Sequence, residues 1–365
     1  MNADCVKLTS YFGERHRANG TFVANALVDL YGRNDIAASI VLRGIQGFGL
    51  KHHLRTDRSL SLSEDLPMTA IAVDTRPNIE AVLDQTLELN LPGLVTLEQA
   101  RLLSGEIEPV AFVENAGEST KPTVYFGRHD RVYGVPAFEV ICEVLYRREI
   151  GGATALLGVD GTAHGRRQQA RLFSRDADLP VMVVAVGSGD QIGMMLPELA
   201  GLLRHPLMTL EQVRVCKRYG HLISVPELAA GVDDRGFLLW HKLTVYTSEA
   251  ARHEGRPVHR AMVRRLRSAG ISGATTHRGF WGFHGDRPPH GDRLLQLERR
   301  VPTVTTVIDT AERIFAAFDI VDELTKEHGL VTSETVLAVR ADLGALQVGR
   351  SGKRGRHTPQ LLPAR

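Results

Sequence analysis

The chain repeats itself, and this internal repetition limits its possible folds more than any other feature. Tyr-Phe-Gly at residues 11–13 returns at 125–127, and Thr-Leu-Glu-Gln at 96–99 returns at 209–212. The two offsets, 114 and 113 residues, differ by a single position, so both describe one repeating unit. Repetition at a fixed spacing predicts several copies of one folding unit.

A third copy is more diverged and lies at an offset of 235 to 236 residues. This offset aligns Leu8, Arg17 and Gly47 with Leu243, Arg252 and Gly282. The chain is therefore expected to hold three units, at 5–104, 121–217 and 239–346, joined by linkers at 104–120 and 217–238. The basic segment at 347–365 contains few apolar residues, and this composition predicts a disordered tail.

Hydrophobic spacing predicts alternating strands and helices in the first unit. The predicted strands are 6–11, 39–42, 67–73 and 95–103, and the predicted helices are 22–31 and a segment around 79–87. This strand–helix–strand–strand–helix–strand order predicts an α+β fold of the ferredoxin-like type, with both helices on one face of an antiparallel sheet. Strands such as 68–73 and 181–186 are apolar on both faces, so the second face is expected to pack against another unit.

Composition argues against several classes of protein. Lys and Arg number 44 and Asp and Glu 42, and the net charge of +2 argues against a protein that coats nucleic acid or an anionic membrane. The cysteines at 5, 142 and 216 form no CxxC motif, so we expect core residues and a reducing, cytoplasmic compartment rather than disulfides. No apolar run approaches the roughly 20 residues that span a bilayer, and residues 1–10 lack a signal pattern.

Three segments of the first copy carry a resemblance to a known family. They are the run Leu8 to Glu14 followed by Arg17 and Gly20, the run Val41 to Gly49, and the run Leu62 to Pro67. These segments resemble the PII-like domain-of-unknown-function 190 family, and the three copies together extend the resemblance over most of the chain. PII proteins form trimers that bind ligands in the clefts between subunits. The resemblance therefore implies three PII-like domains in an intramolecular pseudo-trimer, expected to be a 40.1 kDa monomer, with a higher oligomer as the alternative.

The resemblance also identifies a candidate loop. Gly47-Phe48-Gly49 is similar to the Gly-Phe-Gly motif at the base of the long loop of PII proteins, which would correspond here to 50–65. The second and third copies depart from the motif at 161–163 and 282–284. PII proteins also carry a Gly-Asp-Gly-Lys phosphate loop before the last strand, and none of the corresponding segments here matches it.

The candidate ligand-binding residues fall at repeated positions. Arginines before the first helix suit an anion at the helix N-terminus, although a surface salt bridge or cap is slightly favoured. Glycines after the second strand permit positive φ or close approach of a ligand, or else a β-bulge. Basic and imidazole groups in the adjacent loops suit phosphate or carboxylate ligands, with a solvated loop as the alternative. The full candidate set is Arg17, Arg43, Gly44, Gly47, Phe48, Gly49, Lys51, Arg131, Gly158, Gly161, His164, Arg166, Arg252, Arg278, Gly279, Gly282, Phe283 and His284.

No catalytic or metal motif is recognisable in the sequence. It contains no nucleophile elbow, HExxH or GxxxxGK[ST] motif, and its histidines lack zinc-site spacing, so no catalytic residue, metal or definite cofactor is assigned. Gly187-Ser188-Gly189-Asp190 is interpreted as a helix cap rather than a phosphate loop. An RNA-binding role is not supported, because the aromatic platform of an RRM is missing.

These observations favour a non-enzymatic PII-like signalling protein. It would bind a small anionic ligand, with an adenine nucleotide as the candidate, between repeats. Binding would order the loops at 50–65, 163–178 and 284–300 for docking on a target. The family resemblance implies a membrane transporter as that partner, since family members often neighbour genes for CrcB-type fluoride exporters. The alternatives are an adaptor without a small ligand and, with less support, an enzyme at a repeat interface.

Overall fold

The computed structural model describes residues 2–57, 65–110, 117–163, 166–169, 179–227, 229–285, 287–291, 300–327 and 329–341. The predicted tail at 347–365 lies outside the described residues, as do parts of the loops predicted at 50–65, 163–178 and 284–300. We refer to the three predicted units as repeats 1, 2 and 3.

Helices and antiparallel strands alternate along repeat 1 in the predicted order. Its elements are β1 (Asn2–Gly13), β2 (Arg17–Ala18), β3 (Thr21–Phe22), α1 (Val23–Arg33), β4 (Ala38–Arg43), β5 (Gln46–Phe48), β6 (Arg55–Thr56), β7 (Pro67–Thr75), α2 (Arg76–Glu88) and β8 (Leu94–Ser104).

Repeats 2 and 3 follow the same order. Repeat 2 contains β9 (Glu118–Gly127), β10 (Arg131–Val132), β11 (Val135–Pro136), α3 (Ala137–Arg147), β12 (Gly152–Leu157), β13 (Asp160–Ala163), β14 (Arg166–Gln169), β15 (Pro180–Ala185), α4 (Gly189–Leu202), β16 (Leu207–Arg218) and β17 (His221–Leu222). Repeat 3 contains β18 (Leu238–Ser248), β19 (Arg252–His253), β20 (Arg256–Pro257), α5 (Val258–Ser268), β21 (Ala274–Arg278), β22 (Trp281–His284), β23 (His290–Gly291), β24 (Pro302–Asp309), α6 (Ala311–Leu324) and β25 (Leu330–Ala341).

The long strands of repeats 1 and 3 pair antiparallel in the same spatial order. In repeat 1, β1 lies between β7 and β8, and β4 pairs with the outer side of β7. In repeat 3, β18 lies between β24 and β25, and β21 pairs with β24. Repeat 2 has the corresponding pairs of β9 with β15 and β16, and of β12 with β15. Each repeat thus contributes a four-stranded antiparallel sheet with two helices.

Each helix pair covers one face of its sheet. The first helix begins one residue later than predicted, because Phe22 has an extended backbone at the N-cap and its side chain is 39% exposed. The buried side of α1 includes Val23, Leu27 and Tyr31, which pack with Ile79 of α2 in the core of repeat 1. Burial of such an apolar stripe is what holds a short helix on a sheet.

The other sheet face packs against neighbouring repeats, which confirms the expectation drawn from the doubly apolar strands. One buried cluster contains side chains from all three repeats, among them Ile40, Leu156, Val184 and Val304. The repeats therefore share a core in addition to their own cores.

Short strands also join each repeat to the next. β5 of repeat 1 pairs with β21 of repeat 3, β13 of repeat 2 pairs with β4 of repeat 1, and β22 of repeat 3 pairs with β12 of repeat 2. The last long strands, β8, β16 and β25, pair with one another as well. Every repeat therefore pairs with both others.

The predicted loops begin as hairpins that the sequence did not indicate. β6 pairs with β5, β14 with β13, and β23 with β22. Their polar and charged composition hides them from a hydrophobic pattern, because a strand partner from the same hairpin supplies the pairing.

Two smaller features also bear on the sequence interpretation. Ser188 caps α4: its hydroxyl accepts a hydrogen bond from the Gln191 backbone N–H, which confirms the predicted cap. Among the described residues, no helix is long and apolar enough to cross a membrane.

Candidate functional site

A cleft lies between repeats 1 and 3, beside the Gly47-Phe48-Gly49 motif. Its volume is about 110 Å³. The walls include the aromatic side chains of Phe12 and Phe48 from repeat 1 and of Trp240 from repeat 3, together with Ile308. Trp240 is only 2% exposed and packs with Ile308 in a small core cluster, so this part of the wall is held in place. The cleft therefore has a preformed apolar floor.

Basic groups of repeat 1 surround this floor. Lys51 and His53 are exposed, whereas Arg55 is half-buried and forms an ion pair with Asp65 at 2.7 Å. Arg55 also lies 3.4 Å from Nε2 of His16, whose Nδ1 accepts a hydrogen bond from the Gly13 backbone at 3.0 Å. Burial, reinforced by the Arg55 charge, lowers the pKa of His16, so that imidazole is neutral near pH 7. The positive charge of the rim thus comes from Lys51 and Arg55.

This combination suits one kind of ligand. An apolar aromatic wall contacts a planar ring, while guanidinium and ammonium groups attract phosphate or carboxylate. Of the candidate residues, Phe48, Gly49 and Lys51 line this cleft. Trp240, His16 and Arg55 also line it but were missed from the candidate set, because repeats 2 and 1 carry Ser119 and Cys5 at the tryptophan position.

The repeated glycines pack against neighbouring backbone. At the first position, the N–H groups of Gly44, Gly158 and Gly279 each donate to a proline carbonyl at 2.8 Å. At the second position, a Cβ on Gly47 would lie 2.5 Å from the Ala274 carbonyl oxygen of repeat 3. The corresponding approaches at Gly161 and Gly282 are 2.2 Å, to Ser39 of repeat 1 and Ala153 of repeat 2. These glycines therefore permit the strand pairs that join one repeat to the next.

The repeated arginines before the first helix make local contacts. Nη1 of Arg17 donates to the Gly20 carbonyl at 2.7 Å, and Arg131 donates to the Gly134 carbonyl at 3.3 Å. The Arg17 guanidinium also lies 4.1 Å from the centre of the Phe22 ring. Arg252 donates to the Glu249 carbonyl at 2.9 Å. These contacts stabilise the turn and match the surface-cap interpretation.

Two further candidate arginines are paired with carboxylates. Arg43 contacts Glu14 at 2.9 Å within repeat 1. Arg278 contacts Glu249 at 2.7 Å and reaches Asp57 of repeat 1 at 3.4 Å. His164 lies outside the described residues, and Arg166 is described only through the backbone of β14.

The cleft between repeats 1 and 2 differs from the first cleft. Thr162 takes the place of Phe48, and its hydroxyl forms a 2.8 Å hydrogen bond with that of Ser39. Cys5, which is fully buried, takes the place of Trp240. The aromatic pair that forms the floor of the first cleft is therefore absent from these two equivalent positions.

The cleft between repeats 2 and 3 holds aromatic side chains of the protein itself. Gly151 takes the place of Ser272, which lines the first cleft, and the Tyr219 hydroxyl lies 3.1 Å from where a Gly151 Cβ would be. Phe283 is fully buried and packs edge-on against Tyr146, with ring centres 5.3 Å apart. Burial lowers the pKa of the neighbouring His284 to about 4, so this candidate residue is uncharged near pH 7.

Where the three repeats meet, six charged side chains form a closed ring that we call the lysine–glutamate ring. Each lysine contacts one glutamate of its own repeat and one of another repeat, at 2.5 to 3.0 Å. None of the six side chains is more than 9% exposed. In ring order they are Lys7, Glu98, Lys242, Glu334, Lys121 and Glu211.

The charges within the lysine–glutamate ring are mutually compensated. Burial alone would raise the pKa of Glu98, but the ammonium groups of Lys242 and Lys7 outweigh it and hold the pKa well below its usual range. Burial is likewise outweighed at Glu211, where Lys121 and Lys7 lower the pKa to about 2. Buried charges are tolerated only when they are paired in this way.

The sequence analysis missed the lysine–glutamate ring, although the repeat contains its signal. Each lysine lies four residues before a Tyr that is itself repeated, and each glutamate lies within the repeated Thr-Leu-Glu-Gln or its third copy. The three glutamates are also the group of described residues whose carboxylate oxygens lie within 4.8 Å of one another. The lysine ammonium groups already neutralise them.

The three cysteines are buried and unpaired. Burial raises the thiol pKa of Cys5 and of Cys216 to about 12, and raises that of Cys142 as well. All three thiols therefore remain protonated near pH 7, consistent with the core positions expected for them.

Comparison with known proteins identifies the family. The model of the DUF190 family, described as "Uncharacterized ACR, COG1993", matches residues 5–102, 120–215 and 240–338. The chain belongs to the DUF190 family. The family match occurs three times and confirms the three tandem copies expected from the sequence.

Two curated relatives are similar to part of this DUF190 chain. A "UPF0166 protein" of Aquifex aeolicus is 32% identical over 94 residues, which cover 26% of this chain and 88% of the relative. "UPF0166 protein MJ1524" of Methanocaldococcus jannaschii is 28% identical over 89 residues, covering 24% of this chain and 82% of the relative. Each relative is therefore about the size of one repeat.

A solved structure of an aspartate kinase from Synechocystis aligns with 91% of the chain at 9% identity and a TM-score of 0.23. The alignment covers 44% of that kinase, so the chain spans less than half of its length.

Proposed function

We propose that the three repeats form an intramolecular pseudo-trimer of ferredoxin-like, PII-like domains. The cyclic strand pairing between repeats supports this arrangement, as does the lysine–glutamate ring, to which each repeat contributes equivalent residues. The single-repeat size of the two relatives is also consistent with it, because one repeat alone leaves an apolar sheet face uncovered.

The protein acts, in this proposal, as a non-enzymatic regulator that binds a small anionic ligand between repeats 1 and 3. The observation that carries the proposal is the aromatic floor beneath Lys51 and Arg55 at the Gly47-Phe48-Gly49 motif. A planar base would contact Phe48 and Trp240, and a phosphate would contact the basic rim. An adenine nucleotide combines both parts, and it is the ligand class that we propose.

The same geometry connects ligand binding to the surface. Lys51 and Arg55 lie at the start of the segment that follows the motif, and Arg55 is paired with Asp65 at its far end. A bound anion would compete with Asp65 for the Arg55 guanidinium and would thereby change how this segment is held. We propose that this change regulates docking on a partner, for which the family resemblance suggests a membrane transporter of the CrcB type.

Isothermal titration with ATP, ADP, AMP and cyclic AMP tests the proposal. We expect saturable heat from at least one of these nucleotides at one site per chain, because the other two clefts lack the aromatic floor or contain protein side chains. A folded chain that gives no heat with any nucleotide would contradict the proposal and favour an adaptor without a small ligand. Three equivalent sites per chain would contradict the assignment to a single cleft.

A further inference from the structure

A second cavity lies where the three repeats meet, beside the lysine–glutamate ring. Its volume is about 70 Å³, several times the roughly 15 Å³ that one water molecule needs. All three repeats line it with equivalent side chains. These are Thr9, Thr123 and Thr244, and Tyr11, Tyr125 and Tyr246. We call it the central cavity.

The charged groups that reach the central cavity are unequally distributed. Lys7, Lys121 and Lys242 all line it, whereas Glu98 is the carboxylate of the lysine–glutamate ring that does so among the described residues. The six charges of the ring sum to zero, but the wall itself presents three ammonium groups and one carboxylate. Together with the tyrosine hydroxyls, this makes the wall rich in hydrogen-bond donors.

Repeat 3 makes one side of the central cavity polar where the other repeats are apolar. His277 occupies the position that is Leu42 in repeat 1 and Leu156 in repeat 2. His277 is 5% exposed, and its Nε2 has no hydrogen-bond partner among the described residues. Burial lowers the pKa of His277 to about 4, so the ring is neutral near pH 7 and can offer one N–H group.

A second polar group on the wall has the same property. Thr69 is 3% exposed, and its hydroxyl also lacks a partner among the described residues. Repeats 2 and 3 place Met182 and Val304 at this position. A buried polar group without a partner costs roughly 1–3 kcal/mol, so two of them on one small cavity indicate that it is occupied.

We propose that the central cavity binds one small inorganic anion of halide or nitrate size. Such an ion would accept hydrogen bonds from the His277 ring, the Thr69 hydroxyl and the lysine ammonium groups, and it would satisfy the donor-rich wall. The volume excludes larger organic anions, and the single carboxylate on the wall disfavours a cation. The proposal is independent of the nucleotide site, which lies in the cleft between repeats 1 and 3.

The structure also shows where the ion would enter. Tyr11 and Thr306 line both the cleft between repeats 1 and 3 and the central cavity, so the two spaces adjoin. An ion would therefore reach the centre past the Tyr11 ring.

Bromide provides the direct test, because its anomalous scattering locates it in a crystal. Crystals of the full chain grown in sodium bromide should show one bromide peak inside the central cavity, within hydrogen-bond distance of His277. The peak should be lost in His277→Leu, which restores the side chain of repeats 1 and 2, and kept in His129→Leu, a substitution of an exposed histidine. A cavity that holds only water, or a peak that survives His277→Leu unchanged, would overturn the proposal.

A solution measurement gives a second readout. At equal ionic strength, replacing sodium gluconate, whose anion is too large for the cavity, by sodium bromide should raise the melting temperature of the wild type. At bromide ten times its dissociation constant, the ratio of folded to unfolded chain should rise about elevenfold. We expect this gain in His129→Leu but not in His277→Leu, and an equal gain in both variants would overturn the proposal.

Discussion

The centre of the molecule and its three clefts are built from the same repeat but have changed to different extents. At the centre, all three copies keep the lysine and the glutamate that form the lysine–glutamate ring. At the clefts, the position of Phe48 has become Thr162 in repeat 2, and the position of Trp240 is Ser119 in repeat 2 and Cys5 in repeat 1.

This difference separates the residues that fix the arrangement of the repeats from those that recognise a ligand. Removing one charge from the lysine–glutamate ring leaves another buried without its counterion, so every copy must keep its pair. A cleft has no such constraint, because a neighbouring side chain such as Tyr219 can occupy the space. One covalent chain can therefore keep a common core and retain a single cleft with an aromatic floor.

The largest expected effect comes from breaking the lysine–glutamate ring. Lys7→Met should lower the free energy of unfolding by about 3–5 kcal/mol, because Glu98 and Glu211 each lose a buried partner. The matched control, Arg147→Met, removes an exposed pair with Glu143 and should cost at most about 0.5 kcal/mol. Urea unfolding measures both, and equal losses would show that the lysine–glutamate ring does not stabilise the assembly.

Acid should weaken the same ring. The folded-state pKa of Glu211 is about 2, below its ordinary value of 4.5, and that of Glu98 is lowered as well. A carboxyl group whose pKa is lowered by folding contributes stability above its unfolded pKa and loses it as the pH falls toward the folded pKa. The urea midpoint should therefore be nearly constant above about pH 5.5 and fall between about pH 4.5 and 2. A midpoint that is unchanged from pH 5 to pH 3 would contradict this.

A smaller effect is expected at the rim of the cleft between repeats 1 and 3. Lys51→Glu reverses an exposed charge that lines the cleft and should weaken nucleotide binding by about tenfold or more, equivalent to about 1.4 kcal/mol. Arg287→Glu makes the same change in repeat 3, away from this cleft, and should leave the affinity nearly unchanged. If titration calorimetry finds the larger loss in Arg287→Glu, the ligand binds at another cleft.

The smallest effect is expected at the repeated arginine before the first helix. Arg17→Ala removes the hydrogen bond to Gly20 and the contact with the Phe22 ring, which should cost about 0.5–1 kcal/mol of stability. The nucleotide affinity should not change, because Arg17 does not line the cleft between repeats 1 and 3. An affinity loss larger than the stability loss would instead assign an anion-binding role to Arg17.

The sequence predicted the parts of the fold that depend on local pattern. The periodicity of apolar residues placed the helices and long strands of repeat 1 to within a few residues, and the doubly apolar strand at 68–73 indicated contact between repeats. Phe22 was assigned to the helix on its hydrophobicity alone, although it caps the helix beneath Arg17.

The candidate site was predicted only in part, for a physical reason. Phe48 and Lys51 belong to a recognisable local motif, whereas Trp240 comes from a strand of another repeat about 190 residues away in the chain. The lysine–glutamate ring likewise joins residues as distant as Lys7 and Glu211. A local pattern carries no information on such contacts until the arrangement of the repeats is known.

The central claim is that ligand recognition belongs to the cleft between repeats 1 and 3, and the two tryptophans of the chain test it directly. Trp240 lines this cleft, whereas Trp281 lies on β22, which pairs with repeat 2. In Trp281→Phe, we expect the remaining fluorescence of Trp240 to change saturably on titration with the nucleotide that gives heat. In Trp240→Phe, the fluorescence of Trp281 should stay constant. A response carried by Trp281, with Trp240 silent, would contradict the account and place the ligand between repeats 2 and 3.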